Sequence, residues 1–351
     1  MKREHPDSMP KTVANAHIFP LGIEIERLRK SKGLTQKQVY DGICGRDVFF
    51  RYKTGQRRPN WYTFEKILER LGENPRSYFH GYSLTPEDRE FIKLRNDLKF
   101  LLRKKTPESA SAAEAVICKL QVLVSEQNSS DVSMDDDMDV PHENEQINRR
   151  NLNQQFLLRA KATLAYNRGD YAAMLKFSQS GIQITKPYFD PKQISKYVLF
   201  FDEIILINHI AVALFHTCSI QVSTDMLLQL KTSMSKGYFD EDGTCRAYMS
   251  ILFNITNNLG MLRKYTECHS LCDEGVELCI KHENSHFHPL FLFNKSCCLF
   301  AMGEKEQGIS VFKDAYALLV GAKRFAEYEA MTKIISEQYG IIDISAYSAT
   351  S

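Results

Sequence analysis

The stretch that most constrains the fold is residues 23–71, where short apolar patterns alternate with strong helix-stop signals. The first pattern ends at Gly33, a residue typical of the end of a helix. Thr35–Gln38 then reads T-Q-K-Q, a capping box whose side chains satisfy two amides at the start of a second helix. Arg46–Lys53 is predicted to form a third helix, and Asn60 is predicted to cap a fourth. The apolar residues expected on the inner faces of these helices are Ile25, Leu28, Leu34, Val39, Phe49, Tyr52, Phe64, Ile67, Leu68 and Leu71.

The run LRKSKGLTQKQVYDGICGRDVFFRYKTGQRRP, residues 28–59, resembles the Cro/repressor-type helix-turn-helix in its core, cap, turn and closing G-x-x-x-P. Its G-I-C turn is similar to that of the Rgg/RNPP group of peptide-responsive regulators from Gram-positive bacteria. The resemblance implies an all-α protein, with a lambda-repressor-like helix-turn-helix domain followed by a tetratricopeptide-like α-solenoid that binds a short signalling peptide. Two positions depart from the motif: Gly45 stands where Ser commonly begins the recognition helix, and Lys53 stands where Glu is usual.

The third helix is the expected recognition helix, because such a helix places its N-terminal residues against base edges in the major groove. Arg46 can bridge to guanine, and Phe50 can contact a thymine methyl group. Lysine and arginine on either side of the helix suit phosphates, where they fix the register of the protein on the duplex. The residues expected to contact double-stranded operator DNA are Gln36, Lys37, Arg46, Asp47, Phe50, Arg51, Lys53, Arg57 and Arg58.

Charge is distributed unevenly along the chain. Residues 1–80 carry 16 Lys and Arg against 9 Asp and Glu, a net charge of +7, whereas the whole chain carries only +2. The remaining residues therefore carry a net charge of −5. A basic N-terminal part joined to a mildly acidic body indicates that one end meets a polyanion such as DNA.

The cysteines and the apolar segments predict a cytoplasmic protein without a membrane span. The nine cysteines show no regular spacing, so we expect reduced thiols. The N-terminus lacks the apolar segment of a signal peptide. The most apolar stretch, residues 198–220, is interrupted by Asp202, Glu203, Asn208 and His209, which favours a core helix.

Residues 146–340 show helical periodicity throughout and contain an internal repeat. Each repeat has an apolar helix ending near a glycine, a charged turn and a second amphipathic helix. Aligned on Tyr171, Tyr265 and Lys305, with a weaker unit near Ile220, the repeats are roughly 40–47 residues long. Because one such unit cannot bury its apolar face alone, the units are expected to stack around a concave groove.

Asparagine side chains on the concave helices can hold an extended peptide, since an amide both donates and accepts hydrogen bonds. Asn254 and Asn294 each lie 11 residues before the repeat anchors Tyr265 and Lys305, and Asn208 lies similarly before the weaker anchor. Aromatic neighbours either supply side-chain pockets or belong to the core. The expected peptide-binding residues are Asn208, Asn254, Asn294, Tyr248 and Phe291.

Together these features predict six segments. They are a flexible tail (1–19), a helix-turn-helix domain (20–82), a linker helix with the first array helices (83–124), a disordered acidic loop (125–145), an array for dimerisation and effector binding (146–340) and a C-terminal tail (341–351).

One enzyme-like pattern occurs. His282–His286 reads H-E-x-x-H, which binds zinc only when both histidines share one face of a helix. Here the pattern falls at a frayed helix end, in an expected turn between repeats. Neither a metal site, nor a cofactor, nor an enzymatic activity is expected.

The sequence therefore favours a homodimeric regulator that binds operator DNA through its N-terminal domain and a short peptide through its array. Two alternatives stay open. In one, the array binds and inhibits a partner protein while the N-terminal domain only localises it on DNA. In the other, the protein is a DNA-binding regulator without a ligand.

Overall fold

The computed structural model describes residues 21–57, 59–75, 86–126, 141–235 and 243–340. These ranges contain fifteen α-helices, one short 3-10 helix and no strand, so the predicted all-α fold is confirmed for them. An N-terminal bundle consists of α1 (Leu21–Ser31), α2 (Gln36–Tyr40), α3 (Arg46–Lys53) and α4 (Trp61–Arg70). The array consists of α5 (Pro86–Lys104), α6 (Pro107–Glu126), α7 (Pro141–Asn167), α8 (Tyr171–Thr185), α9 (Phe201–Thr217), α10 (Ile220–Met234), α11 (Gly243–Met261), α12 (Tyr265–Lys281), α13 (His288–Ala301), α14 (Lys305–Gly321) and α15 (Phe325–Tyr339).

Two helices of the bundle begin at the capping residues that the sequence predicts. The amide of Gln38 donates to Thr35 Oγ1 at 3.2 Å, and the amide of Thr35 donates to Gln38 Oε1 at 2.8 Å. At the start of α4, the amide of Thr63 donates to Asn60 Oδ1 at 2.9 Å. All the apolar residues predicted to face inward are buried, apart from Leu34, which is partly buried. Both predicted caps are therefore present, and the four helices share one apolar interior.

The array is built from helix pairs. Helices pack in chain order as α5/α6, α7/α8, α9/α10, α11/α12 and α13/α14, with α15 at the end. The first helix of each pair also contacts the first helix of the next, which gives a continuous line of α5, α7, α9, α11, α13 and α15. We call this line the inner wall, because stacked helix pairs curve around the surface formed by one member of each pair.

The repeat anchors mark the starts of second helices. Helices α8, α10, α12 and α14 begin at Tyr171, Ile220, Tyr265 and Lys305, at spacings of 49, 45 and 40 residues. The first spacing is slightly longer than the predicted range, because the connection between α8 and α9 contains the 3-10 helix Ile194–Lys196.

The disordered acidic loop predicted at residues 125–145 overlaps helices at both ends. Helix α6 continues to Glu126 and α7 begins at Pro141. Proline is favoured at the first helical position, where its fixed φ suits the helix and its missing N–H costs nothing. Residues 127–140 lie outside the described residues, as do the tails predicted at 1–19 and 341–351.

The bundle and the array share one apolar core, although the sequence suggested separate domains. The core extends from α1–α4 into α5, α6 and α7, and it includes Phe200 just before α9. Tyr62 contacts Phe91 of α5 with ring centroids 5.3 Å apart, and Phe91 contacts Phe156 of α7 at 6.1 Å. The bundle is thus fixed against the first hairpins of the array.

The G-I-C turn makes part of this contact. Gly42 has a φ of +74°, and a Cβ atom there would lie 2.5 Å from the carbonyl oxygen of Thr185 at the end of α8. Only glycine meets both requirements, a left-handed backbone and a close approach to another helix.

Candidate DNA-binding surface and ligand groove

Helix α3 presents one face to solvent and buries the other. Phe49 and Tyr52 are buried in the bundle, whereas Arg46 and Asp47 are exposed and Phe50 is 51% exposed. The helix is also held by contacts with α1, α2 and α7. An arginine, a carboxylate and an aromatic ring therefore stand together on a rigid, solvent-facing helix.

The other expected DNA contacts surround this face. Among them, Lys37 is exposed, and Gln36, Arg51, Lys53 and Arg57 are half-buried. The ammonium group of Lys53 lies 5.4 Å from the centroid of the Phe50 ring. The amide of Arg57 donates to the carbonyl oxygen of Arg51 at 3.2 Å, which ties the basic loop to the end of α3. Arg58 lies outside the described residues.

The three asparagines selected from the repeats all lie on helices of the inner wall. Asn254 Nδ2 on α11 donates to Asn208 Oδ1 on α9 at 3.1 Å. Asn294 Nδ2 on α13 donates to Asn257 Oδ1 at 2.8 Å and to Thr256 Oγ1 at 3.0 Å. The structure thus brings the predicted residues onto one wall, where their amides link neighbouring helices.

The two predicted aromatic residues are oriented away from the inner wall. The hydroxyl of Tyr248 donates to Glu274 Oε1 on α12 at 2.6 Å, and Tyr248 is buried. Phe291 is completely buried, and its ring packs on α12, where a Cβ atom added at Gly275 would lie 2.6 Å from it. This geometry does not support the prediction that they line a peptide pocket, because both fill the space between first and second helices.

A cavity of about 650 Å³ opens on the inner wall between α5, α7, α9 and α11, and we call it the basic groove. Its lining includes four cationic side chains, a histidine and three phenylalanines, and none of the described residues that line it is Asp or Glu. These residues are Lys99, Arg103, Arg159, Arg246, His209, Phe100, Phe156 and Phe201. Sequence analysis missed the groove, since four distant helices contribute to it and no spacing pattern links them.

The electrostatics of the groove favour an anion. Burial, together with the cations Arg95 and Arg159, lowers the pKa of Lys99 to about 8. Burial, with a further contribution from Arg159, lowers the pKa of His209 to about 3, so its imidazole is neutral near pH 7. His209 Nδ1 is buried and has no hydrogen-bond partner among the described residues. An anion bound here would relieve the repulsion between these cations.

Directly beneath the groove, a buried carboxylate joins the array to the bundle. Asp202 Oδ2 accepts from the hydroxyl of Tyr62 at 3.0 Å and lies 3.0 Å from Lys66 Nζ, and both partners belong to α4. Its other oxygen, Oδ1, lies 2.8 Å from Arg159 Nε in the groove lining. One carboxylate therefore contacts both the bundle and a groove residue.

The neighbouring carboxylate forms a second link. Glu203 Oε2 lies 3.1 Å from Arg70 Nη2, and Glu203 Oε1 lies 3.3 Å from Lys186 Nζ and accepts from Thr185 Oγ1 at 2.9 Å. Arg70 also donates to the carbonyl oxygen of Asp41 in the bundle. The two acidic residues at the start of α9 thus hold α4 through two buried ion pairs.

Asp202 and Lys66 are held in their charged forms. Burial alone would raise the pKa of Asp202, but Lys66 and Arg159 outweigh it and hold that pKa well below its usual range. Burial would likewise lower the pKa of Lys66, but Asp202 and Glu69 raise it. Since a buried charge is costly without its partner, the relative position of α4 and α9 depends on this network remaining complete.

The H-E-x-x-H residues lie in the turn between α12 and α13, where Glu283 has a φ of +50°. That turn is not helical, so the two histidines do not share a helix face. In the part of the chain that the structure describes, no three His, Cys, Asp or Glu side chains are arranged to hold a metal ion.

None of the helices described for this chain combines the length and the apolar character needed to cross a bilayer.

The fold and the two sites define an all-helical protein in two parts: a small bundle with an exposed basic helix, fixed to an array of helix pairs with a basic groove. The chain is similar to PlcR of Bacillus thuringiensis in complex with the peptide PapR7 and DNA, at 15% identity, 89% coverage of this chain, 98% of PlcR and a TM-score of 0.48. It is similar to the apo form of ComR from S. thermophilus, at 11% identity, coverages of 90% and 99% and a TM-score of 0.49.

A third similar structure is the SHP pheromone receptor Rgg2 of Streptococcus dysgalactiae, at 13% identity, coverages of 91% and 99% and a TM-score of 0.43. At these identities the likeness concerns the arrangement of helices, and what each neighbour binds is a property of that neighbour. No family model and no curated protein matches the chain.

Proposed function

We propose that the protein is a sequence-specific DNA-binding transcriptional regulator whose array binds a short signalling peptide of the quorum-sensing type. The observation that carries this proposal is the eight-residue helix α3, which exposes Arg46, Asp47 and Phe50 while the bundle buries its other face. A helix of this kind fits the major groove, where its exposed side chains reach base edges.

Each exposed group has a chemical counterpart on DNA. The guanidinium of Arg46 can donate to O6 and N7 of guanine, the carboxylate of Asp47 can accept from N4 of cytosine, and Phe50 can cover a thymine methyl group. The remaining proposed contacts are Gln36, Lys37, Arg51, Lys53, Arg57 and Arg58, which suit the phosphate backbone. These contacts set affinity and register, while the α3 side chains set sequence preference.

We expect the regulator to work as a homodimer on a two-part operator. Helix-turn-helix proteins commonly bind two half-sites about one helical turn apart, and the dimer symmetry then matches that of the DNA. In this proposal the array supplies the dimer surface, and the protein acts in the cytoplasm, together with the operator DNA.

The buried network offers a route from the groove to the DNA-binding bundle. Arg159 lines the groove and contacts Asp202, and Asp202 contacts Tyr62 and Lys66 on α4. A ligand that binds Arg159 changes the free energy of this contact. It therefore shifts the bundle between positions if it binds one of them more tightly than the other.

Selection of duplexes from a randomised pool by the full-length protein tests the proposal. We expect a two-part sequence to be enriched, and its affinity for the protein to change when a random heptapeptide pool is added. Recovery of duplexes without any common sequence would contradict sequence-specific binding, and it would favour the adaptor whose DNA domain only localises a partner-binding array.

A further inference from the structure

We propose that the peptide recognised by the array is acidic, and that its carboxylate binds in the basic groove between Lys99, Arg103, Arg159 and Arg246. This inference rests on the proposed peptide-binding function and deepens it by naming the chemical class of the peptide. Neither the N-terminal motif nor the repeat pattern points to a charge on the ligand.

The charges that line the basic groove are unbalanced. Its four cations come from four positions on α5, α7 and α11, and the described part of the lining holds no acidic residue. Among the described residues, Lys99, Arg103 and Arg246 form no ion pair, and only Arg159 has an acidic partner, Asp202. Clustered cations that outnumber the nearby carboxylates repel each other, so an anion bound in the groove would lower their electrostatic energy.

The basic groove has the size of a site for a small ligand, and its lining combines cationic and aromatic side chains. A volume of about 650 Å³ falls within the range typical of sites for small ligands and short peptide segments. It is far too small for a duplex, whose major groove alone is about 12 Å wide. Phe100 is 59% exposed, and Phe156 and Phe201 lie deeper in the lining. An inorganic anion would leave these rings uncovered, whereas a peptide offers carboxylates and apolar side chains together.

The basic groove is close along the chain to the asparagines of the inner wall. Arg246 lies two helical turns before Asn254 on α11, and His209 directly follows Asn208 on α9. His209 also lines the groove, and its buried Nδ1 lacks a partner among the described residues. A peptide with its carboxylate in the groove would therefore extend its backbone towards amides that can pair with it.

The proposed position also explains how the ligand is sensed. Arg159 is the groove cation that contacts Asp202, at 2.8 Å, and Asp202 holds Lys66 of the bundle. A ligand carboxylate beside Arg159 competes with Asp202 for the guanidinium group. The charge of the ligand, and not only its shape, then alters the contact between Asp202 and α4.

Affinity selection with the full-length protein tests this inference. The protein is incubated with a random heptapeptide pool, the complexes are separated by size exclusion, and the bound peptides are quantified by mass spectrometry. We expect Asp and Glu to be enriched about tenfold in the bound fraction. This enrichment corresponds to an affinity about tenfold higher for acidic peptides than for the other peptides of the pool. A matched pool with amidated C-termini distinguishes side-chain carboxylates from the terminal one.

Two variants assign the effect to the groove. The double substitution R103Q/R246Q removes two exposed charges and should abolish the enrichment, whereas K333Q removes an exposed charge on α15 and should retain it. Because these side chains are exposed, all variants should keep the unfolding midpoint of the native protein.

The outcomes separate this inference from the proposed function. Neutral or basic peptides in the bound fraction would overturn the charge assignment while leaving peptide binding in place. The absence of any bound peptide would overturn both. Equal competition by a short single-stranded oligonucleotide would show that the groove binds polyanions without preference, and this would also overturn the inference.

Discussion

At the scale of single residues, Asp202 connects the two parts of the molecule. Its carboxylate is buried and contacts Tyr62 and Lys66 of the bundle and Arg159 of the groove. Two cations and a phenol thus share one anion away from solvent. Such a group contributes little net stability compared with apolar packing, but removing it leaves the cations buried and unpaired.

The substitution Asp202→Ala should therefore lower the free energy of unfolding by about 3–5 kcal/mol, measured by urea denaturation at pH 7. The control is Asp225→Ala on α10, where an exposed carboxylate accepts from Gln221 at 2.7 Å; this change should cost no more than about 0.5 kcal/mol. Similar losses in the two variants would show that the network does not hold the bundle.

The same difference should depend on pH. The folded-state pKa of Asp202 lies below its unfolded value of about 3.9, so its contribution is complete above that value and is lost as the pH falls towards the folded pKa. The gap in unfolding free energy between the native protein and Asp202→Ala should consequently narrow below about pH 4. A constant gap down to pH 2 would contradict this role.

Lys99 should make peptide binding in the basic groove depend on pH, because its ammonium group loses its proton as the pH rises. Its pKa of about 8 reflects burial and the cations Arg95, Arg159 and Lys66, opposed by the carboxylate of Glu65. A bound carboxylate favours the protonated ammonium, so affinity for acidic peptides should fall as the pH rises through about 8. Calorimetric titration between pH 6 and 10 measures this, and Lys99→Gln should give a weaker but nearly flat profile.

At the scale of elements, the turns of the array share one backbone feature. Helices α6, α8, α12, α14 and α15 are each preceded, two positions before their first residue, by a residue with positive φ. These residues are Lys105, Gly169, Arg263, Gly303 and Lys323. A left-handed residue reverses the chain within a short turn, and glycine adopts that conformation without steric cost.

Gly303 and Gly321 offer a matched pair for testing this feature. Gly303 has a φ of +87°, whereas Gly321 ends α14 without a positive φ, and no atom lies within 4 Å of an added Cβ at either position. We expect Gly303→Ala to lower the free energy of unfolding by about 1 kcal/mol and Gly321→Ala to leave it equal or higher. Equal losses would show that the left-handed conformation of Gly303 does not decide the cost of the substitution.

The elements were predictable from the sequence where local chemistry determines them. The capping box at Thr35, the cap at Asn60 and the repeat anchors all coincide with helix starts. The helical ends of the acidic segment were missed, since its composition suggested a longer loop. The sequence predicts Tyr248 and Phe291 as peptide-binding residues, because periodicity identifies an apolar position without showing which neighbouring helix it faces.

At the scale of the whole molecule, two features had no signal in the sequence. The basic groove collects cations from helices that are far apart along the chain, and the bundle docks on α9 through residues 62–70 and 202–203. The polar residues at 202 and 203 were noted only as interruptions of an apolar stretch. Their partners become visible once the helices are assembled.

Two groove variants should separate binding from coupling. Arg246→Gln should weaken the binding of acidic peptides, yet saturating peptide should still change operator affinity fully. Arg159→Gln breaks the contact with Asp202. The effect of saturating peptide on operator affinity should therefore be about fivefold smaller in this variant, which is the size of a modest allosteric coupling. Fluorescence anisotropy of a labelled operator with both variants measures this, and identical coupling in the two would exclude the route through Asp202.

The most direct test of the central claim is the affinity of α3 variants for a duplex selected by the native protein. Arg46→Ala should weaken binding to that duplex by about 1–3 kcal/mol and relax the preference at one base pair. Lys333→Ala, which removes an exposed charge on α15, should leave both unchanged. Unaltered affinity and sequence preference in Arg46→Ala and Phe50→Ala alike would contradict the assignment of α3 as the helix that reads DNA.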